Sequence, residues 1–294
     1  MPEFPDLTVY LEHLERRTRD AELIAMRIAS PFVLRTVAPA PADVCGRRVL
    51  GWRRLAKQLV LELDGHFFVV IHLMISGRLK WERAGAAIPK RLGLAALDFS
   101  TGTVIFTEAS KKRRASLKLV AGEAALRALD PGGLEVPEAS LDAFAQRLRG
   151  ANHTVKRALT DQHIFAGIGN AYSDEILLRA RLSPFKPSAT MSDAEVQRLY
   201  DACDNVLREW TQRLRDEAGD QFPLKVTAFH DEMAVHGKYR QPCPVCGSPV
   251  QRIVYAENES NYCATCQTEG RLLADRSLSR LLKASWPKRV EDIE

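Results

Sequence analysis

Two cysteine pairs near the C-terminal end constrain the fold of this chain more tightly than any other feature: Cys243-Pro-Val-Cys246, sixteen residues, then Cys263-Ala-Thr-Cys266. Paired Cys-x-x-Cys knuckles at that separation supply four thiolates to one tetrahedral zinc ion, and Gly247 suits the turn after the first knuckle. With every position taken by sulfur, no site is left for water, so the zinc is structural. The hairpin expected between Pro249 and Tyr262, with Arg252 inside it, is too small to fold without metal. Free thiolates of this kind imply a reducing compartment. Cys45 and Cys203 lack partner spacing and read as core residues.

The rest of the chain divides by hydrophobic period. Asp6 to Arg17 places Leu7, Tyr10, Leu11 and Leu14 at helical spacing behind Pro5, where a helix begins well. Strand signals follow. Leu59 to Leu63 and Phe67 to Ile71 flank an Asp64-Gly65 turn, and Ala96–Phe99, Thr103–Phe106 and Ala115–Leu119 make further short segments. Many short strands with tight turns predict a sandwich or barrel over the first 125 residues or so. At Leu129-Asp130-Pro131-Gly132-Gly133 the period switches to 3.6, which marks a domain boundary. Helices are expected after Ser140, from about Thr154, from Asn170 to Arg181, and after a Ser192/Glu195 capping box whose helix buries Leu199, Cys203, Val206, Leu207, Trp210 and Leu214.

At 294 residues and 46% hydrophobic, the chain can bury cores in two or three domains. No apolar run approaches the roughly 20 residues that span a bilayer, and no signal peptide stands at the start. The net charge of +5 permits a nucleic-acid partner if the cations cluster. They do cluster at Lys111-Lys112-Arg113-Arg114, four cations on a predicted loop. A second anion signal is Phe165-Ala-Gly167-Ile168-Gly169-Asn170-Ala171-Tyr172, where glycines between two helices let the backbone approach a phosphate at a helix N-terminus. The third chemical signal is Met1-Pro2-Glu3. Excision of Met1 would leave a secondary amine beside a carboxylate, and an α-amino group titrates near neutrality, at roughly pH 7.7–8.0, so it is nucleophilic without a special pocket.

These elements, with Lys57 and the stretch His72-Leu73-Met74-Ile75-Ser76-Gly77-Arg78, resemble formamidopyrimidine-DNA glycosylase and endonuclease VIII, in order from residue 2 to about 267. The resemblance implies an α+β multidomain fold: an N-terminal β-sandwich with a short N-terminal helix over 1–125, a helix–two-turn–helix domain over 138–225, a four-cysteine zinc finger over 236–270 and a tail over 271–294. It implies a bifunctional glycosylase and AP lyase that excises oxidised or ring-opened bases from double-stranded DNA, with Pro2 as Schiff-base nucleophile and Glu3 as acid/base. Lys57 and Asn170 would hold phosphates, Lys156 would lie near the lesion, and Ile75 would fill the stack. Lys111, Lys112, Arg113 and Arg114 stand where relatives carry an Arg-Arg-Phe-Gly wedge, and Asn258 stands where they carry a zinc-hairpin arginine, so that either Arg252 compensates or this hairpin grips DNA differently. Asp6 replaces a glutamate. The segment between Gly219 and His236 is short for a lesion-capping loop. These departures keep open a lyase acting on abasic sites alone, or a non-catalytic binder. A cytoplasmic, nucleoid-associated monomer is expected, with one structural zinc and no membrane partner.

Overall fold

The computed structural model describes residues 1–224, 229–255, 258–274 and 287–292, with the backbone alone at 255 and 258. Of the tail expected over 271–294, residues 275–286 and 293–294 thus lie outside the described residues. The chain forms two compact units: Met1–Pro131 with Trp210–Thr227, and Gly132–Glu209 with Ala228–Glu294.

The first unit begins with helix α1, Phe4–Thr18. Pro5 fixes φ in its first turn, the Glu3 N–H donates to Asp6, and Arg16 and Arg17 complement the dipole at its end. Its apolar stripe of Leu7, Tyr10 and Leu14 is fully buried. Eight strands follow, interrupted by the single turn α2 (Pro41–Val44): β1 (Glu22–Ile28), β2 (Arg47–Leu55), β3 (Gln58–Leu63), β4 (Phe67–His72), β5 (Gly77–Glu82), β6 (Gly93–Phe99), β7 (Gly102–Glu108) and β8 (Ser116–Ala121). Their order is β5-β7-β6-β1-β2-β3-β4-β8, all antiparallel. The two four-stranded halves join through only two register pairs, Glu22↔Arg48 and Leu23↔Arg47. One core draws on both halves, with Leu97, Phe99 and Phe106 from one and Leu59, Leu61 and Val69 from the other. That is the expected sandwich.

The β4–β5 turn is tight. The Gly77 N–H bonds Leu73 O at 2.8 Å, and a Cβ on Gly77 would meet that oxygen at 2.2 Å, so only glycine fits. The strands β3, β4, β6, β7 and β8 match the sequence patterning, whereas β1, β2 and β5 add to it. A short helix α3 (Glu123–Arg127) closes the strand region.

The second unit is helical with a small hairpin. Helices α4 (Leu141–Gly150) and α5 (Val155–Thr160) are capped by Ser140 and Thr154. A turn with Gly167 at φ +81° leads into α6 (Asn170–Ala180), and α7 (Asp193–Ala218), whose residues from Trp210 onward belong to the first unit, opens on the reciprocal Ser192/Glu195 box. Phe144 stacks on Phe165 at 4.6 Å between ring centroids, which fixes α4 against that turn. The hairpin is β9 (Gln251–Tyr255) paired with β10 (Asn258–Tyr262), followed by α8 (Ala264–Thr268).

Candidate active site and nucleic-acid contacts

In the first unit, the N-terminal residues are drawn into a polar group with residues distant in sequence. Glu3 and Asp6 are each 2% exposed. Asp6 Oδ2 accepts the Glu3 N–H at 2.8 Å, but its buried Oδ1 has no hydrogen-bond partner among the described residues. Burial pushes the Asp6 carboxyl up to about 7; the Glu3 N–H bond opposes that shift, the Glu3 charge adds to it, and the N-terminal amine and Arg78 oppose it. The Met1 amine is lowered from its ordinary value, chiefly by burial, against the pull of Glu3 and Asp6 and with help from Arg78 and Lys57. The amine, two carboxyls and two cations therefore share one electrostatic neighbourhood.

Lys57 reaches this group from the two-residue β2–β3 connection, where Leu55 pairs with Gln58 and Ala56 takes φ +51°. It is only 6% exposed. At the end of β4, His72 accepts the Met74 N–H at Nδ1 (3.2 Å), which leaves the ring proton on Nε2. Burial, then the Lys57 and Lys118 charges, lower its pKa to about 4, so it is neutral at physiological pH. Next to Asp6 is a cavity of 310 Å³ walled by Val9, Leu214, Glu217, Phe222 and Leu224. Phe222 is fixed there by Tyr10 at 5.5 Å and by the Arg17 guanidinium at 5.6 Å from its ring centroid. The resemblance marks Asp6 only as the replacement of a family glutamate, and the sequence assigns no site role to His72 or Arg78. Apart from the resemblance, Asp6 is a carboxylate in the first turn three residues after Glu3, which by itself reads as a cap.

The other candidates of this unit lie on turns. Ile75 is 62% exposed at the β4–β5 turn. Lys111, Lys112, Arg113 and Arg114 are all exposed in the β7–β8 loop. The base of that loop is pinned by buried Glu108, whose two oxygens accept the N–H groups of Arg114 and Ala115, both at 3.1 Å.

In the second unit, Asn170 occupies the first turn of α6 with Gly169 before it. Its Nδ2 donates to Glu259 O at 2.6 Å. Lys156 is largely buried, its ammonium donating to Asn170 O at 2.8 Å and to Asp174 Oδ1 at 2.6 Å. Asp174 also accepts from Ser260 and contacts His236 Nδ1, each at 2.8 Å. The start of α6 is thereby locked to β10. Arg252, half-exposed on β9, pairs with Glu259 at 3.3 Å. Asn258 opens β10, and its side chain lies outside the described residues.

The four Sγ atoms of Cys243, Cys246, Cys263 and Cys266 lie within 4.8 Å of one another, with Cys246 and Cys263 at 3.4 Å. A tetrahedral zinc with Zn–S bonds of about 2.3 Å separates its thiolates by about 3.8 Å, so this cluster fits the ion. The zinc, when bound, staples the knuckles and supplies no chemistry.

Comparison with known proteins matches three family models in chain order. They are the formamidopyrimidine-DNA glycosylase N-terminal domain at residues 1–120, the formamidopyrimidine-DNA glycosylase H2TH domain at 129–217, and the zinc finger found in FPG and IleRS at 240–268. A formamidopyrimidine-DNA glycosylase from Roseiflexus is 32% identical over 276 residues, covering 91% of this chain and 100% of the relative. An uncharacterized formamidopyrimidine-DNA glycosylase-like protein from Mycobacterium tuberculosis is 41% identical over 164 residues, covering 56% of this chain and 100% of that one. Among solved structures, a Lactococcus lactis FPG mutant in complex with Fapy-dG containing DNA superposes with a TM-score of 0.80 at 23% identity, covering 91% of this chain and 100% of that one.

Proposed function

The chain belongs to the formamidopyrimidine-DNA glycosylase family, and from that premise we propose that it is a base-excision repair glycosylase with AP lyase activity whose nucleophile is the nitrogen of Pro2. With Met1 attached, that nitrogen is a tertiary amide without a lone pair to offer. Hydrolysis of the Met1–Pro2 bond frees a secondary amine. Because a base inside a duplex is out of reach, the damaged nucleotide must first be extruded. The amine then attacks C1′ as the glycosidic bond breaks and the base leaves with the amine proton; the C1′–O4′ bond opens as Glu3 protonates O4′, which leaves an iminium at C1′. The resulting iminium acidifies the C2′ proton, whose loss expels the 3′ phosphate and cuts the strand. Hydrolysis of the remaining iminium releases the unsaturated sugar aldehyde and returns the free amine.

The observation that carries this reading is the buried N-terminus: the amine that Met1 carries lies among Glu3, Asp6, Lys57 and Arg78, in surroundings that lower its pKa, and the Pro2 nitrogen freed by loss of Met1 would be one residue along in the same group. Glu3 is the acid/base for sugar opening, and Lys57 holds the phosphate beside the lesion. From the second unit, Asn170 at the N-terminus of α6 takes a phosphate, Lys156 backs that helix end, and Arg252 supplies a cation where position 258 is uncharged. Ile75 enters the stack at the extruded nucleotide, and Lys111, Lys112, Arg113 and Arg114 contact the backbone. The protein acts in the bacterial cytoplasm on nucleoid DNA, as a monomer.

The test is a panel of duplexes carrying an oxidised purine, an oxidised pyrimidine or an abasic site, incubated with Met1-processed protein. Base release followed by strand cleavage is expected for at least one base lesion. Cleavage of abasic DNA alone would reduce the activity to a lyase, and tight binding without cleavage would leave a damage-binding protein.

A further inference from the structure

One tyrosine ring beside the zinc-binding cysteines carries two guanidinium groups. Arg252 lies 4.2 Å and Arg240 5.2 Å from the centroid of Tyr239. They reach it from different elements: Arg252 sits on β9 opposite Asn261, while Arg240 precedes the first knuckle with its N–H bonded to Val250 O at 2.9 Å. Arg240 has φ +68°, in the left-handed region that glycine adopts freely and a side-chain-bearing residue does not. The fold alone would favour glycine there. Two like charges on one ring also repel. Glu259 offsets Arg252 at 3.3 Å, but among the described residues no carboxylate lies within ion-pair reach of the exposed Arg240. An anion from outside would relieve both the repulsion and the excess charge.

Its identity follows from what Glu259 joins. The Glu259 side chain holds Arg252, while its backbone carbonyl accepts from Asn170 at the start of α6. A strand whose phosphate docks on that helix end would find Arg252 held by the same residue, Glu259. We propose that Tyr239, Arg240 and Arg252 form a second phosphodiester clamp for DNA, in which the ring holds two planar donors and Glu259 occupies Arg252 until a phosphate displaces it. This rests on the glycosylase reading in taking DNA as the partner and the start of α6 as a phosphate contact.

The experiment measures binding of the full-length, zinc-loaded protein to a duplex containing a tetrahydrofuran abasic analogue, across salt from about 50 to 200 mM. Arg240→Gly, which suits the backbone, and Arg252→Gln should each weaken binding about tenfold. Each should reduce the slope of log K against log salt by about one. Arg252→Lys should retain the slope, and Glu259→Gln should tighten binding. Slopes equal to wild type in both charge-removing variants overturn the clamp. If Arg240→Gly sheds zinc, the pair at 252 decides, because equal slopes for Lys and Gln overturn it too. A wild-type protein that does not bind the duplex would instead strike the glycosylase reading.

Discussion

Asp6 and Asp174 are both helical aspartates sealed from solvent, at 2% and 1% exposure, yet their surroundings differ in kind. Asp174 is saturated: Lys156 and Ser260 donate to one oxygen, and His236 meets the other. Its neighbour Glu175 accepts three consecutive N–H groups, from Ala234, Val235 and His236. Among the described residues Asp6 has one hydrogen bond, an orphan oxygen and a cavity beside it. A buried polar network with every valence met rigidifies its surroundings, whereas one left open is unstable until something enters. The second unit therefore uses buried carboxylates to position Asn170, and the first keeps a carboxyl group in reserve beside the amine.

The largest expected effect breaks the saturated side. Asp174→Ala leaves Lys156 as a buried cation without its counter-ion and should cost about 3–5 kcal/mol in chemical denaturation. A loss below about 1 kcal/mol would show that the network is not what holds α6 to β10. The open side should respond with the opposite sign. Because the folded pKa of Asp6 is raised above its unfolded value, its ionisation destabilises the native state as pH rises from about 4 to about 7. Asp6→Asn keeps an acceptor for the Glu3 N–H, so relative to wild type it should gain roughly 2–3 kcal/mol between pH 5 and pH 8. A pH-independent difference would contradict the raised pKa.

His72 provides the intermediate case. Its pKa is depressed to about 4, so its contribution is present above the unfolded value of 6.5 and is lost as pH falls from there toward 4. His72→Gln should flatten the acid limb of the stability curve in that window. The smallest effect is expected at the exposed Arg179–Glu209 pair, 2.7 Å apart. Arg179→Ala should cost less than about 1 kcal/mol, the level for solvated ion pairs, and serves as the baseline for the others.

Much of this arrangement is legible in the residues, but unevenly. The cysteine spacing specifies the metal cluster, and the Ser140, Thr154 and Ser192 caps mark helix starts because a cap acts within four residues. Strands β3 and β4 stand out because both faces are apolar. β2 does not, since Arg47, Arg48, Arg53 and Arg54 mask its buried Val49; Arg53 is accommodated by Glu62 at 2.5 Å and Glu123 at 2.9 Å, partners that the strand's own pattern cannot reveal. The same limit applies to the candidate site. Pro2 and Glu3 are adjacent and visible, but the grouping of helical Asp6 with Arg78 of β5 and of His72 with Lys57 arises from the tertiary fold, and the orphan oxygen of Asp6 exists only in three dimensions. Lys156 was legible as a cation near the site, whereas its burial against Asp174 was not.

The central claim is that the amine of Pro2 is the nucleophile. It is tested most directly by borohydride trapping of Met1-processed protein on abasic duplex DNA, with the modified peptide located by mass spectrometry. The account predicts a stoichiometric covalent adduct on the nitrogen of Pro2. An adduct on a lysine such as Lys57, or no adduct from protein shown to bind the duplex, would contradict it.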